Sequence, residues 1–126
     1  MTTPTADILI VDDMPDNLKI LMAMLNGAGY KARSVLSGEM ALTAARTAAP
    51  DLVLLDINMP IMNGYEVCEA LKADADLRHI PVIFITALGE ELDRNRVERV
   101  GAVDFILKPF RLDDVLEKIE YHLDTT

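Results

Sequence analysis

Three short apolar runs punctuate the chain: Ile8-Leu-Ile-Val11, Leu52-Val-Leu-Leu55 and Val82-Ile-Phe-Ile85. None alternates with polar residues, so each must be covered on both faces, as central strands of a parallel sheet are. Two weaker segments complete the set. Tyr30-Lys-Ala-Arg-Ser-Val35 mixes polar and apolar positions as an edge strand does, and Asp104-Phe-Ile-Leu107 is short and follows Gly101. Helix-length amphipathic stretches lie between them. Asp16 to Asn26 carries Leu18, Leu21, Met22 and Leu25 on one stripe, with Gly27 and Gly29 as stop signals. Ser37 can cap a second helix through Met40, Ala41, Ala44 and Ala45, and Pro50 bars its continuation. Asn63-Gly-Tyr-Glu66 reads as a capping box opening a third. Glu90 to Val100 gives a fourth, with Glu90 and Arg94 four apart on a solvated face. Leu112 to Leu123 gives a fifth, with Asp113 and Asp114 in the first turn, where the helix dipole favours negative charge. Strand and helix alternate throughout, and right-handed crossovers turn that alternation into a three-layer α/β domain.

The polar residues that follow the apolar runs carry the chemistry. The first run ends in Asp12-Asp13, the third strand in Asp56, the fourth in Thr86 and the fifth in Lys108. Parallel strands bring their carboxyl ends to one edge, where open α/β sheets bind ligands. Each residue alone has a structural explanation, since an Asp after a strand often caps the next helix and a lone Lys is often just solvated. Together they predict three carboxylates, a hydroxyl and an ammonium in one place. Such carboxylates repel unless neutralised, and an oxygen-rich site of this kind suits Mg²⁺. A carboxylate beside a divalent cation and an ammonium can attack phosphorus, giving an aspartyl-phosphate. The Mg²⁺ and the lysine would neutralise the equatorial oxygens, and the hydroxyl could donate to one of them. Asp56, ending a central strand, is the expected nucleophile; Asp12 and Asp13 serve the metal.

Composition narrows the options further. The chain has 126 residues, 51% hydrophobic and 26% charged, which fits one globular domain. Twelve Lys and Arg against 21 Asp and Glu give a net charge of −9, which argues against a general attraction to nucleic acid or anionic lipid. The longest apolar run, Ile20 to Leu25, is far short of the roughly 20 residues of a membrane-spanning helix. The first residues lack the basic and apolar segments of a secretory signal, and the three residues after Leu123 hold no output domain. The single cysteine, Cys68, shares a helical face with Val67 and Leu71 and is expected to be a buried apolar residue in a reducing, cytoplasmic setting.

In order along the chain, Ile8-Leu-Ile-Val-Asp-Asp13, Leu54-Leu-Asp-Ile-Asn-Met-Pro60, Met62-Asn-Gly64, Ile85-Thr-Ala87, Gly101-Ala-Val-Asp104 and Lys108-Pro-Phe110 resemble the receiver domain of two-component response regulators, the CheY-like domain. The resemblance covers nearly everything from Ile8 to Leu123, and it implies one receiver domain over residues 1–126 with a core at 7–123. It implies a flavodoxin-like parallel sheet of five strands in the order 2-1-3-4-5. Asp56 would be the phosphoacceptor, taking a phosphoryl group from a phosphohistidine on a sensor histidine kinase or a histidine phosphotransfer protein. Asp13 would bind Mg²⁺ directly, Asp12 through water, and Asn58 by its backbone carbonyl. Lys108 would pair with the phosphoryl group, its bond to Pro109 being cis, and Ala87 would leave room for that group. Thr86 and Phe105 match the switch pair, which passes the charge change to the surface of the fourth helix, fifth strand and fifth helix. Where many relatives have Tyr, Phe105 cannot hydrogen-bond outward, so packing alone is expected to separate its two states.

The implied function is a phosphorelay switch that changes partners (a downstream effector, an output domain or a second phosphorylated copy), with only slow self-dephosphorylation and no enzymatic role. An aspartyl phosphatase would typically carry an acid at position 58, where this chain has an amide that cannot donate a proton as an acid does. A purely structural receiver tends to lose an acidic residue or the lysine, and all are present. A nucleotide-binding role lacks both the glycine-rich fingerprint and the phosphate-binding loop. His79 and His122 are given no role. Met59 and Met62 are expected to fill gaps around Pro60, and Arg94, Arg96 and Arg99 to form a solvated face. A stand-alone regulator and a piece of a hybrid kinase or longer regulator are equally compatible with these residues.

Overall fold

The computed structural model describes residues 5–87 and 94–124. Five strands, β1 (Asp7–Val11), β2 (Lys31–Val35), β3 (Leu52–Asp56), β4 (Val82–Ala87) and β5 (Asp104–Lys108), alternate with helices α1 (Pro15–Gly27), α2 (Gly38–Thr47), α3 (Gly64–Ala73), α4 (Arg94–Arg99) and α5 (Leu112–Asp124). The strands form one parallel sheet in the order β2-β1-β3-β4-β5. The predicted strands are all present. β3 and β5 reach one residue further than the apolar runs, so Asp56 and Lys108 are the last residues of their strands, and β4 reaches Ala87.

Alternation along the central strands divides the core in two. Leu9, Val11, Val53, Leu55, Val82 and Phe84 face a cluster supplied by α2, α3 and α4. Ile8, Ile10, Leu52, Leu54, Ile83 and Ile85 face α1 and α5. Every one of these twelve strand residues is at most 1% exposed, which is why no polar alternation is visible in their sequence. β2, at the sheet edge, keeps its mixed pattern: Lys31 and Ser34 are exposed and the others half-buried.

The helix ends follow the local signals. Ser37 accepts a hydrogen bond from the Met40 amide, and Asn63 and Glu66 form the reciprocal capping box. α1 closes through Gly29, whose φ of 95° is a left-handed turn conformation that lets the Tyr30 amide reach the Leu25 carbonyl. The fourth helix departs from expectation. Its described part is Arg94–Arg99, Val100 lies in the turn beyond it, and the expected start at Glu90 with its Arg94 pair lies outside the described residues.

The side chains of this region correct one expectation. Arg94 and Arg99 are exposed, but the guanidinium carbon of Arg96 sits 4.2 Å from the centroid of the Tyr65 ring and that of Arg94 is 5.1 Å from that of Phe105. Two of the three arginines are thus packed on aromatic faces, where a cation is attracted by the ring quadrupole. Cys68 is fully buried and donates its thiol to the Val100 carbonyl at 3.2 Å; burial pushes its pKa up to about 11. Met59 is buried in the core and Met62 packs against it, as gap-fillers would. No described helix is long and apolar enough to cross a membrane.

Candidate functional site

The carboxyl ends of β1, β3, β4 and β5 share one edge of the sheet, and register aligns their last residues. Asp56 pairs with Ile85, one step before Thr86, while Thr86 pairs with Leu107 and Ala87 with Lys108. Asp12 follows β1 directly, its amide bonded to the Val35 carbonyl. Three carboxylates gather here. One oxygen from each of Asp12, Asp13 and Asp56 lies within 4.8 Å of the others, the one group of this kind among the described residues. Lys108 Nζ reaches over them, 3.5 Å from Asp12 Oδ2 and 3.6 Å from Asp56 Oδ1. The peptide bond between Lys108 and Pro109 is cis, as the resemblance implied.

Burial sets the electrostatics. Asp12 is fully buried, Asp56 is 4% exposed and Thr86 is 2% exposed, whereas Asp13 lies at the rim. Loss of water raises the pKa of Asp56 to about 7, with the Asp12 and Asp13 charges adding to the rise and Lys108 opposing it. The carboxylates outnumber the ammonium facing them, and all the donors are oxygens. That set fits a hard divalent cation.

Asp12 also fulfils the structural role open to any aspartate after a strand. Its Oδ1 accepts the Met14 amide at 2.9 Å and its Oδ2 accepts the Asn17 side-chain amide at 3.1 Å, where Met14, the N-cap of α1, provides no cap of its own. Sequence reasoning missed Asn17. The only available signal was an amide five residues past the aspartate in the first turn of the following helix.

Asp12, Asp13, Asp56 and Lys108 are brought together as expected, with Thr86 beside them in register. The exposed Asn58 side chain follows two residues after Asp56. Phe105 stands three residues before Lys108, half-buried, and its ring contacts belong to a different neighbourhood: Arg94 and Lys118, whose Nζ is 5.3 Å from the ring centroid. Besides packing, two cations therefore contact the ring in this position. The Lys118 ammonium further donates to the Phe105 carbonyl at 2.6 Å and approaches Asp104 and Asp114. His122, given no role above, is buried against Asp104, with Nε2 2.9 Å from Oδ2.

Gly64 shapes the other wall. A Cβ at this position would collide with the Asp56 carbonyl and come within 2.8 Å of Ile57 Cα. The Gly64 amide in turn bonds the Ile57 carbonyl at 2.8 Å, fixing the chain just past Asp56.

Comparison with known proteins gives the same picture. The family model of the response regulator receiver domain matches residues 8–120. The response regulator PleD of Caulobacter vibrioides is 44% identical over 112 residues, 89% of this chain. The chain spans only 24% of the length of PleD. The polar-differentiation response regulator DivK of Brucella ovis is 38% identical over 119 residues, covering 94% of this chain and 97% of DivK. Among solved structures, the signal receiver domain of a signal transduction histidine kinase from Syntrophus aciditrophicus superposes with a TM-score of 0.88 at 36% identity, over 97% of this chain and 92% of that one. Sheet order, acidic edge and these matches agree, and the chain belongs to the response regulator receiver domain family.

Proposed function

We propose that this chain is a phosphorelay switch in which Asp56 accepts a phosphoryl group from a phosphohistidine of a sensor kinase or phosphotransfer protein. Receiver domains are signalling phosphoacceptors that bind Mg²⁺ at an acidic pocket. The observation that carries the reading here is Lys108, whose ammonium sits 3.5 and 3.6 Å from Asp12 and Asp56 above the three gathered carboxylates.

In the proposed step an ionised Asp56 oxygen attacks phosphorus. The new P–O bond forms as the donor P–N bond breaks, and the leaving electron pair stays on the imidazole nitrogen, so that a phosphohistidine protonated on its other ring nitrogen departs as neutral histidine. Lys108 neutralises a phosphoryl oxygen and Thr86 donates its hydroxyl to another. Asp13, Asp56 and the Asn58 backbone carbonyl, with Asp12 through water, would hold Mg²⁺, which would supply further neutralisation of phosphoryl charge. The small Ala87 side chain leaves the phosphoryl group room. The new anion then draws Thr86 towards it, Phe105 fills the vacated space, and the surface of α4, β5 and α5 changes its affinity for an effector, an output domain or a second copy. Residues 1–126 act as one receiver unit in the cytoplasm, with neither nucleic acid nor membrane as a direct partner.

Incubation with Mg²⁺ and acetyl phosphate should add one acid-stable, base-labile phosphoryl group. Undiminished labelling of Asp56→Asn would remove Asp56 as the acceptor. Thr86→Ala should still be labelled while its partner affinity responds less to phosphorylation.

A further inference from the structure

Asp12 is the most enclosed member of the acidic site, and its two oxygens are engaged unequally. Among the described residues, Oδ1 takes the Met14 amide, a bond within the turn itself. Oδ2 is shared between the Asn17 amide at 3.1 Å and the Lys108 ammonium at 3.5 Å. Asn17 lies in the first turn of α1, on the opposite side of the strand-to-helix turn from Asp12. The α1 backbone fixes the asparagine, and a second donor on the same carboxylate removes rotation about the bond that carries it. An asparagine does this without adding charge, which a lysine at the same position would supply and an aspartate would worsen.

We propose that Asn17 is a positioning residue of the acidic site: by donating to Asp12 Oδ2 it holds that oxygen towards Lys108 and so keeps the ammonium between Asp12 and Asp56. The inference rests on the metal-assisted reading of the site given above. Without the amide, the Met14 bond alone leaves the Asp12 carboxylate freer to turn about its Cβ–Cγ bond, and its oxygens lose the arrangement beside Asp13 and Asp56 that a cation requires. Partners of this kind, one step removed from a metal, typically account for about 10- to 100-fold in metal affinity. Asp12 is expected to act through water, so the effect of Asn17 should fall near the lower end, about tenfold.

A capping role alone would give a different result. The Asp12–Asn17 bond also ties β1 to the first turn of α1, so an Asn17→Ala variant can melt earlier for reasons unrelated to the metal. A double-mutant cycle separates the two, because coupling between residues is visible only in their joint effect. Mg²⁺ affinity is measured by amide NMR titration, up to tens of millimolar, in the wild type, Asn17→Ala, Asp12→Ala and the double variant, with metal-free melting recorded for each. Asn17→Ala should weaken Mg²⁺ binding about tenfold in the wild-type background and leave it unchanged in the Asp12→Ala background. An unchanged affinity in Asn17→Ala, or a loss that persists when Asp12 is alanine, overturns the proposal, whatever happens to the melting temperature. A wild type that takes up no Mg²⁺ removes the metal reading itself, and this inference with it.

Discussion

The guanidinium of Arg94 lies over the ring of Phe105, its central carbon 5.1 Å from the ring centroid. Lys118 brings a second cation to the same ring from α5 at 5.3 Å. The ring is therefore held by one helix on each side of β5 in the chain order, and its position is coupled to both.

A cation over an aromatic ring near the surface is worth about 0.5–1 kcal/mol, or roughly two- to fivefold in a population. Arg94→Met keeps an unbranched stem and removes the charge. The inward position of Phe105 should then be populated about two- to fivefold more in the unphosphorylated protein. NMR of ring-labelled phenylalanine reads this directly, and an identical ring environment in both proteins would show that the contact plays no part in the switch.

Mg²⁺ affinity should depend on pH through Asp56. The carboxyl must lose its proton to hold the cation, and burial with two neighbouring carboxylates raises its pKa to about 7. Affinity should be flat above about pH 8 and fall towards about tenfold per pH unit below 7, as protons compete for the same group. The chain contains no tryptophan to report binding by fluorescence, so calorimetry in buffers of matched ionic strength is the measurement.

The same shift makes a prediction about stability. Asp56 holds its proton to about pH 7 in the folded chain, against an ordinary value of 3.8. Between those values the folded state keeps a proton that the unfolded chain has lost. Stability from this group is therefore greatest below about pH 4, declines as pH rises through 7, and is fully lost above that. Asn cannot ionise, so Asp56→Asn should stabilise the metal-free protein at pH 8 by on the order of 2 kcal/mol and lose its advantage near pH 4. Chemical denaturation in EDTA at both pH values tests the sign; an advantage that grows towards acid would contradict it.

Gly64→Ala should be costly although the added group is a single methyl. The first residue of α3 abuts the Asp56 carbonyl and Ile57 Cα, both main-chain atoms that cannot swing aside. Overpacking of this kind costs about 1–3 kcal/mol, and the displaced segment begins at Asp56 itself. A lower melting temperature together with slower labelling by acetyl phosphate is expected. Wild-type behaviour in both would mean that α3 can shift freely relative to the strand end.

Much of this architecture was legible because it rests on local rules. The unbroken apolar runs of β1, β3 and β4 follow from burial on both faces, and the Asn63–Glu66 capping box spans one helical turn. The acidic site was legible because parallel strands all end on one edge, so Asp12, Asp56 and Lys108 could be gathered without knowing any distance. Arg94 and Lys118 on Phe105, Arg96 on Tyr65 and His122 on Asp104 were not. Each joins residues on different elements, and the sequence periodicity that marks a helical face as polar does not distinguish water from an aromatic ring. Asn17 was missed for a related reason: its partner lies across a turn whose geometry only the folded chain defines.

The sealed position of Cys68 has a practical consequence. Its thiol is fully buried, bonded to the Val100 carbonyl and pushed up to a pKa of about 11, so the reactive thiolate is nearly absent at neutral pH. A cysteine introduced on the solvent side of α5 would be the single attachment point for a maleimide dye or nitroxide. Movements of that helix could then be followed optically or by spin resonance with the native residue left in place.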